Sequence, residues 1–316
     1  MTQTPPPVVL LSHVMLAGLE GLLSGAGYQV HRLWDHPDPL AFLAGPGQEV
    51  QAIVHAGEFK LDPGLLGDMP RLGLIACVSV GYDGVDVAWC RARGIAVTHS
   101  TGLNADDVAD HAVGLLIAVW RGLVEGDRRL RAGQWTHTDR MAPRHSLRGK
   151  TAGIVGLGHI GEAVAKRLEA FGMPIQWWGP NPKESRFTRA ASLLALAKAS
   201  DALMVCTRGD AAGLISAEVI EAVGPGGCII NISRGPVVDE TALIAALKDG
   251  RLGMAGLDVF ETEPTPAARW EGVPNTVLTP HTAGGTRESI PQMVGMTMEN
   301  LRRFFHGEPL ATPVAG

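Results

Sequence analysis

Residues 151–161, Thr-Ala-Gly-Ile-Val-Gly-Leu-Gly-His-Ile-Gly, constrain this chain more than any other stretch. Thr151–Val155 is a short apolar run suited to a buried strand, and Ile160, Val164, Leu168 and Phe171 follow on one face of a helix. Gly156-x-Gly158-x-x-Gly161 lies at their junction. Among 40 glycines such a pattern can arise by chance. Set between a strand and an amphipathic helix, it predicts a loop that binds a dinucleotide. Gly156 permits the tight turn, Gly158 lets a pyrophosphate approach the backbone, and Gly161 lets helix and strand pack closely. The helix N-terminus then offers unpaired N–H groups to the phosphates.

The rest of the chain repeats the alternation. Val8–Ser12, a piece beginning at Tyr28, Ala52–His55, Leu72–Val78 and Ile95–Thr98 read as strands, with helical stretches between them that include Met15–Ser24. A second series starts at the glycine motif, with strands at Thr151–Val155, Pro174–Trp178, Ala202–Cys206, Gly227–Ile232, Gly253–Val259 and Thr276–Thr279. Helices over about 159–171, 191–199, 215–223 and 239–249 fit between these strands, the pattern of a doubly wound parallel sheet of Rossmann type. Asn104-Ala-Asp-Asp107 opens a long apolar helix, with Asn104 as its expected N-cap. An amphipathic segment, Arg287 to Phe305, closes the chain. At 316 residues two α/β domains are expected. Residues 1–100 with 285–316 form a smaller substrate-binding domain, interrupted by a dinucleotide-binding domain at 101–284.

Composition excludes several partners. Net charge is −5 and no basic run exceeds two residues, which argues against a nucleic-acid surface. The segment Met1–Pro7 lacks a positive leader, and Val8–Leu11 is too short for a signal core or membrane span. Cys77, Cys90, Cys206 and Cys228 are scattered without a CxxC pair, so reduced thiols, no metal and a cytoplasmic location are expected.

Ligands of an open parallel sheet meet the carboxyl ends of its strands. Three consecutive ends here carry complementary groups: Arg234 after one strand, Asp258 and Glu263 after the next, and His281 after the last. A guanidinium fork holds a carboxylate and polarises a neighbouring carbonyl. An imidazolium donates a proton to a forming alkoxide, and a carboxylate keeps it charged at neutral pH. Singly, each has a plainer reading, Arg234 as a turn residue, the acids as solvated loop charges and His281 as a surface or satisfied core group; together they suit a 2-oxo-acid reductase.

The segments Gly156-Leu-Gly-His-Ile-Gly161, Asn231-Ile-Ser-Arg-Gly235, Gly256-Leu-Asp-Val-Phe-Glu-Thr-Glu-Pro264 and Thr279-Pro-His-Thr-Ala-Gly284 resemble the D-2-hydroxyacid dehydrogenase family, and within it the glyoxylate/hydroxypyruvate reductases. Val78-Ser-Val-Gly-Tyr-Asp-Gly-Val-Asp86 and Val108-Ala-Asp-His-Ala-Val-Gly-Leu-Leu116 match further family segments. The resemblance implies a flavodoxin-like substrate domain, a cleft between the domains and a homodimer. It implies that Arg234, Glu263 and His281 are catalytic, with His281 the acid–base, and that Val80 and Gly81 bind the substrate carboxylate through their N–H groups. Cofactor contacts are implied at Val108, at Leu157, His159 and Ile160 beside the motif glycines, and at Cys206 and Thr207. They continue at Ile232, Ser233 and Arg234, at Asp258 facing the nicotinamide carboxamide, and at His281 and Gly284.

The acid that grips the ribose hydroxyls of NAD belongs at the end of the second strand. Gly179 stands there, and the first acid after Phe171 is Glu184. This favours NADP(H) over NAD(H), with Asn181, Lys183 and Arg186 placed to contact the 2′-phosphate, or Lys183 and Arg186 serving as solvated loop charges. NADP-using relatives usually carry Arg where Pro180 stands, and often Arg where His159 stands. Trp135 and Met141-Ala-Pro143 either reach the cleft or, for Trp135, pack as an ordinary aromatic. The expected activity is reduction of small 2-oxo acids to D-2-hydroxy acids. The alternatives are an NAD-linked D-2-hydroxyacid or phosphoglycerate dehydrogenase and a dinucleotide-sensing binding protein without turnover.

Overall fold

Two sets of apolar runs separated along the chain produce two parallel sheets in the computed structural model, which describes residues 5–67, 69–209 and 211–314. The chain divides into two compact units, one running to Leu103 and resuming at Arg287, the other Asn104–Thr286. The cuts fall slightly beyond residues 100 and 284.

In the first unit, strands β1 (Val8–Leu11), β2 (Gln29–Arg32), β3 (Ala52–His55), β4 (Leu74–Cys77) and β5 (Ala96–Thr98) stand in the order β2-β1-β3-β4-β5. All are parallel, the flavodoxin-like arrangement. Every residue of β1, β3 and β4 is buried, as expected for strands covered on both faces. Met15–Ser24 is not one helix. His13 accepts the Met15 N–H, a tight 3-10 turn runs over Val14–Leu19, and an α-helix occupies only Glu20–Gly25.

The helix Ser289–Phe305 belongs to this unit. Its Leu301 is fully buried in one cluster with Val9, Leu11 and Leu74. Asn300 fastens the segment after it, donating to Thr312 Oγ1 and accepting from the Ala311 N–H at 2.9 Å. Leu301→Ala removes a side chain from this closed site and should cost about 2–5 kcal/mol. A urea melt checks this, and an unchanged midpoint would contradict the packing.

In the second unit, β6 (Ala152–Val155), β7 (Ile175–Trp178), β8 (Thr188–Arg189), β9 (Ala202–Val205), β10 (Cys228–Asn231), β11 (Met254–Leu257) and β12 (Thr276–Leu278) stand in the order β12-β11-β10-β9-β6-β7-β8. All pairs are parallel, and the order reverses between β6 and β9, the switch point where ligands bind in doubly wound sheets. The six expected strands form, joined by one that was not expected, the two-residue edge strand β8. The helix Ala105–Trp120 buries Val108, Ala112, Leu116 and Trp120 against this sheet's core. Asn104 precedes it, but its side chain makes no capping bond. The side chain instead lies against Gly284, where any Cβ would overlap it, and Asn104 Oδ1 is buried without a partner among the described residues.

Among the described residues Cys77, Cys90, Cys206 and Cys228 are free thiols, and burial pushes those of Cys77 and Cys206 up to about 12. Among the described residues no helix is long and apolar enough to cross a membrane.

Candidate active site

The glycine loop joins β6 to the helix His159–Ala170. Gly156 has φ +89° and sits so close to the β9 end that a Cβ would lie 2.8 Å from Thr207 Cα. A Cβ on Gly161 would overlap the Gly156 carbonyl oxygen, so only glycine allows helix and loop to close. Gly158 differs: nothing lies within 4 Å of where its Cβ would stand. That open backbone, at the start of a helix whose first turn no side chain caps, fits a pyrophosphate. Leu157 is buried, His159 exposed and Ile160 half-buried, and Cys206 and Thr207, both half-buried, lie against Gly156. Val108 is buried and Gly284 half-buried.

Beyond β7, Gly179 is buried, whereas Asn181 and Lys183 are exposed. Lys183 Nζ pairs with Glu162 Oε1 at 2.8 Å, in the first turn of the glycine-loop helix. Arg186 does not reach this region. It forks onto Glu169 at 3.0 and 2.6 Å, at the far end of that helix, which removes it from the expected phosphate contacts.

Three strand ends shape the polar cluster. After β10, Asn231 is buried and ties its own loop, donating from Nδ2 to the Arg234 carbonyl at 3.0 Å and accepting from the Ser233 N–H and hydroxyl. Ile232 and Ser233 are buried, and Arg234 emerges half-exposed with NH1 donating to the Ser233 carbonyl at 2.7 Å. The following Gly235 has no room for a side chain, since a Cβ would overlap the Phe260 carbonyl. This close passage brings the Arg234 loop against the segment that carries Glu263.

Glu263 Oε1 accepts the Phe260 N–H at 2.9 Å, and Oε2 faces His281 Nδ1 at 2.6 Å. An ionised carboxylate only accepts, so Nδ1–H is the donor, and when the ring is charged a second proton sits on Nε2. The hydrogen bond that His281 donates to Glu263 raises the His281 pKa above its ordinary value, overcoming the opposing effects of burial and of the Arg234 charge. Burial pushes the Glu263 carboxyl up, but the bonds from His281 and the Phe260 N–H, with the Arg234 charge, hold it below its ordinary value. Between those two displaced values the pair is imidazolium and carboxylate. Both side chains remain about a third accessible, at 35 % and 34 %.

Asp258, 1 % exposed, holds the His281 turn. Its Oδ1 accepts from Thr279 Oγ1 at 2.6 Å and the Thr282 N–H at 3.0 Å, its Oδ2 accepts from the Ala283 N–H at 2.9 Å, and its carbonyl accepts from the His281 N–H at 2.8 Å. These bonds fix His281 at φ +53°, a left-handed conformation that costs energy in a non-glycine residue. Burial raises the Asp258 pKa, and the bonds from His111, Thr279 and the turn outweigh it, so the carboxyl stays below its ordinary value.

Sequence reasoning missed three supports. His111 Nε2 lies 2.9 Å from Thr279 Oγ1 and 3.4 Å from Asp258 Oδ1; its signal was a polar residue within an otherwise apolar helix face. Asn231 had the signal of a polar residue ending a buried strand. Glu240, 5 % exposed, accepts the Glu261 N–H at 3.0 Å and pairs with Arg269, bracing the loop before Glu263. It resembled an ordinary first-turn acid and gave no distinguishing signal.

In the other unit, Val80 and Gly81 follow β4. His99 Nδ1 donates to the Val80 carbonyl at 2.9 Å, and Ser79 Oγ donates to the Gly81 carbonyl at 2.9 Å. The Val80 and Gly81 N–H groups donate to nothing among the described residues. Adjacent fixed donors of this kind suit a carboxylate. Trp135 is 73 % exposed, which overturns its reading as a packing aromatic within the chain.

Residues 113–283 match the family described as D-isomer specific 2-hydroxyacid dehydrogenase, NAD binding domain. A hydroxyphenylpyruvate reductase of Plectranthus scutellarioides is 41 % identical over 91 % of this chain and 92 % of its own length. A 2-hydroxyacid dehydrogenase from Ketogulonicigenium vulgare Y25 superposes with a TM-score of 0.91, at 40 % identity and 99 % coverage of both chains. An NADPH-dependent glyoxylate/hydroxypyruvate reductase from Sinorhizobium meliloti, solved with NADP and malonate, does so with a TM-score of 0.89, at 36 % identity, covering 99 % of this chain and 97 % of its own.

Proposed function

Because this chain belongs to the D-isomer specific 2-hydroxyacid dehydrogenases, we propose that it reduces glyoxylate and hydroxypyruvate, with NADPH as the preferred reductant. Membership makes it an oxidoreductase with an NAD-binding domain. The observation that carries the proposal is the His281–Glu263 pair beside Arg234. When bound, the reduced nicotinamide supplies a hydride to C2 of the oxo acid. Arg234 takes the substrate's oxo-acid group with its guanidinium fork and polarises the carbonyl. His281 Nε2 delivers the proton to the forming alkoxide oxygen, and the neutral ring left behind recovers a proton from solvent. The free N–H pair at Val80 and Gly81 is assigned to the substrate carboxylate. Asp258, whose Oδ2 has a single partner, is assigned to the carboxamide of the nicotinamide as well as to the His281 turn.

Small substrates are favoured by the Sinorhizobium relative named for glyoxylate and hydroxypyruvate, whereas the Plectranthus relative is named for an aryl analogue. NADPH is favoured by the missing acid at Gly179 and by the NADP held in the Sinorhizobium relative. The assembly we propose is a homodimer, supported by the exposed Leu123, Val124, Leu130 and Trp135 around one helix. Unpaired thiols favour the cytoplasm. One absorbance assay tests the substrate and cofactor reading: glyoxylate, hydroxypyruvate, hydroxyphenylpyruvate and phosphohydroxypyruvate, each with NADPH and NADH. Highest kcat/KM with either of the first two and NADPH is expected; a clear preference for either of the others, or for NADH, would replace the reading.

The pair also sets a pH dependence. Reduction needs charged His281, so activity falls as pH rises through its elevated pKa. Glu263→Gln removes the group that elevates it and should move the basic limb of kcat/KM to lower pH. An unmoved limb would show that this carboxylate does not tune the imidazole.

A further inference from the structure

Lys183, Arg186 and Arg189 all follow β7, and their charges have different fates. Glu162 neutralises Lys183 and Glu169 neutralises Arg186. Arg189 has no acidic partner among the described residues. Its NH2 donates to the Gly179 carbonyl at 2.8 Å, and its guanidinium carbon lies 5.6 Å from the centre of the Trp177 ring. The backbone explains this placement. Thr188–Arg189 pairs in parallel with Gln176–Trp177, so the Arg189 side chain starts beside Trp177 and extends to the carboxyl end of β7. Trp177 anchors that edge, donating from Nε1 to the Phe187 carbonyl at 3.1 Å and accepting the Ala190 N–H at 2.8 Å.

The carboxyl end of the second strand in a doubly wound sheet is where the adenosine ribose is read. Here it carries no carboxylate, a proline at 180 without an N–H, and an uncompensated guanidinium with four of its five N–H donors uncommitted. We propose that Arg189, reaching across from the edge strand β8, is the residue that selects NADP(H) by binding the adenosine 2′-phosphate. Its fork matches phosphate geometry, and a carbonyl ligand fixes it without cancelling its charge. This rests on the NADP(H) reading above. Lys183, held by Glu162, is left a lesser part.

Fluorescence titration of the full chain with NADPH and with NADH tests the proposal, without substrate. Arg189→Ala should weaken NADPH by on the order of tenfold to a hundredfold, as loss of charge-assisted bonds does, and leave NADH unchanged. Arg189→Met keeps an aliphatic stem over Trp177 and should do the same, which separates lost charge from a disturbed sheet edge. Equal weakening of both cofactors by both variants would make Arg189 structural and overturn the proposal. So would unchanged NADPH affinity in both variants where the wild type prefers NADPH, which leaves the cofactor reading standing. A wild type that binds NADH as tightly as NADPH defeats both.

Discussion

His281→Ala should leave a folded chain that still binds NADPH and no longer reduces a 2-oxo acid at a useful rate. Losing a positioned general acid typically costs about 10²–10⁴-fold, and the polarising Arg234 remains to give any residual rate. Cofactor binding survives because the glycine loop follows β6, whereas His281 follows β12. The turn also survives, since Asp258 holds it through backbone N–H groups that alanine retains. The left-handed backbone at 281 becomes more strained with alanine, so a thermal melt accompanies the kinetics. A stable variant with wild-type turnover would remove His281 from the chemistry.

Gly235→Ala should be nearly as damaging without altering any polar group. Its Cβ meets the Phe260 carbonyl, and both partners are backbone, so one loop must move. Arg234 is one residue away, and the Phe260 N–H orients Glu263. A displacement of about 1 Å at a catalytic group can cost about a hundredfold. We expect kcat/KM to fall by that order while NADPH affinity holds. Parallel loss of cofactor affinity would place the damage in the whole sheet edge, and unchanged kinetics would show that the passage of the two loops does not position the site.

What could be read from the sequence follows physical scale. Parallel strands buried on both faces are continuous apolar runs, so β6, β9, β10 and β11 were legible with their glycine loop and their polar ends. β8 was not, because Thr188–Arg189 is too short to show a period and exists only through pairing with β7. Arg186 and Arg189 are equivalent in sequence; the register at Trp177 turns one towards Gly179, and Glu169 turns the other away. Asn104 had the composition of a cap, but packing against Gly284 directs its side chain elsewhere. Glu240 and His111 act through bonds between distant segments, which local spacing does not encode, whereas Asn231 ties only its own loop, a bond pattern visible once the strand end is placed.

The most direct measurement of the central claim follows product rather than cofactor. Wild-type protein is mixed with hydroxypyruvate and a limiting amount of NADPH, and the glycerate formed is counted and its chirality assigned. One D-glycerate for each NADPH oxidised is the predicted result. Tight NADPH binding with no glycerate, or glycerate of the L configuration, would contradict the account.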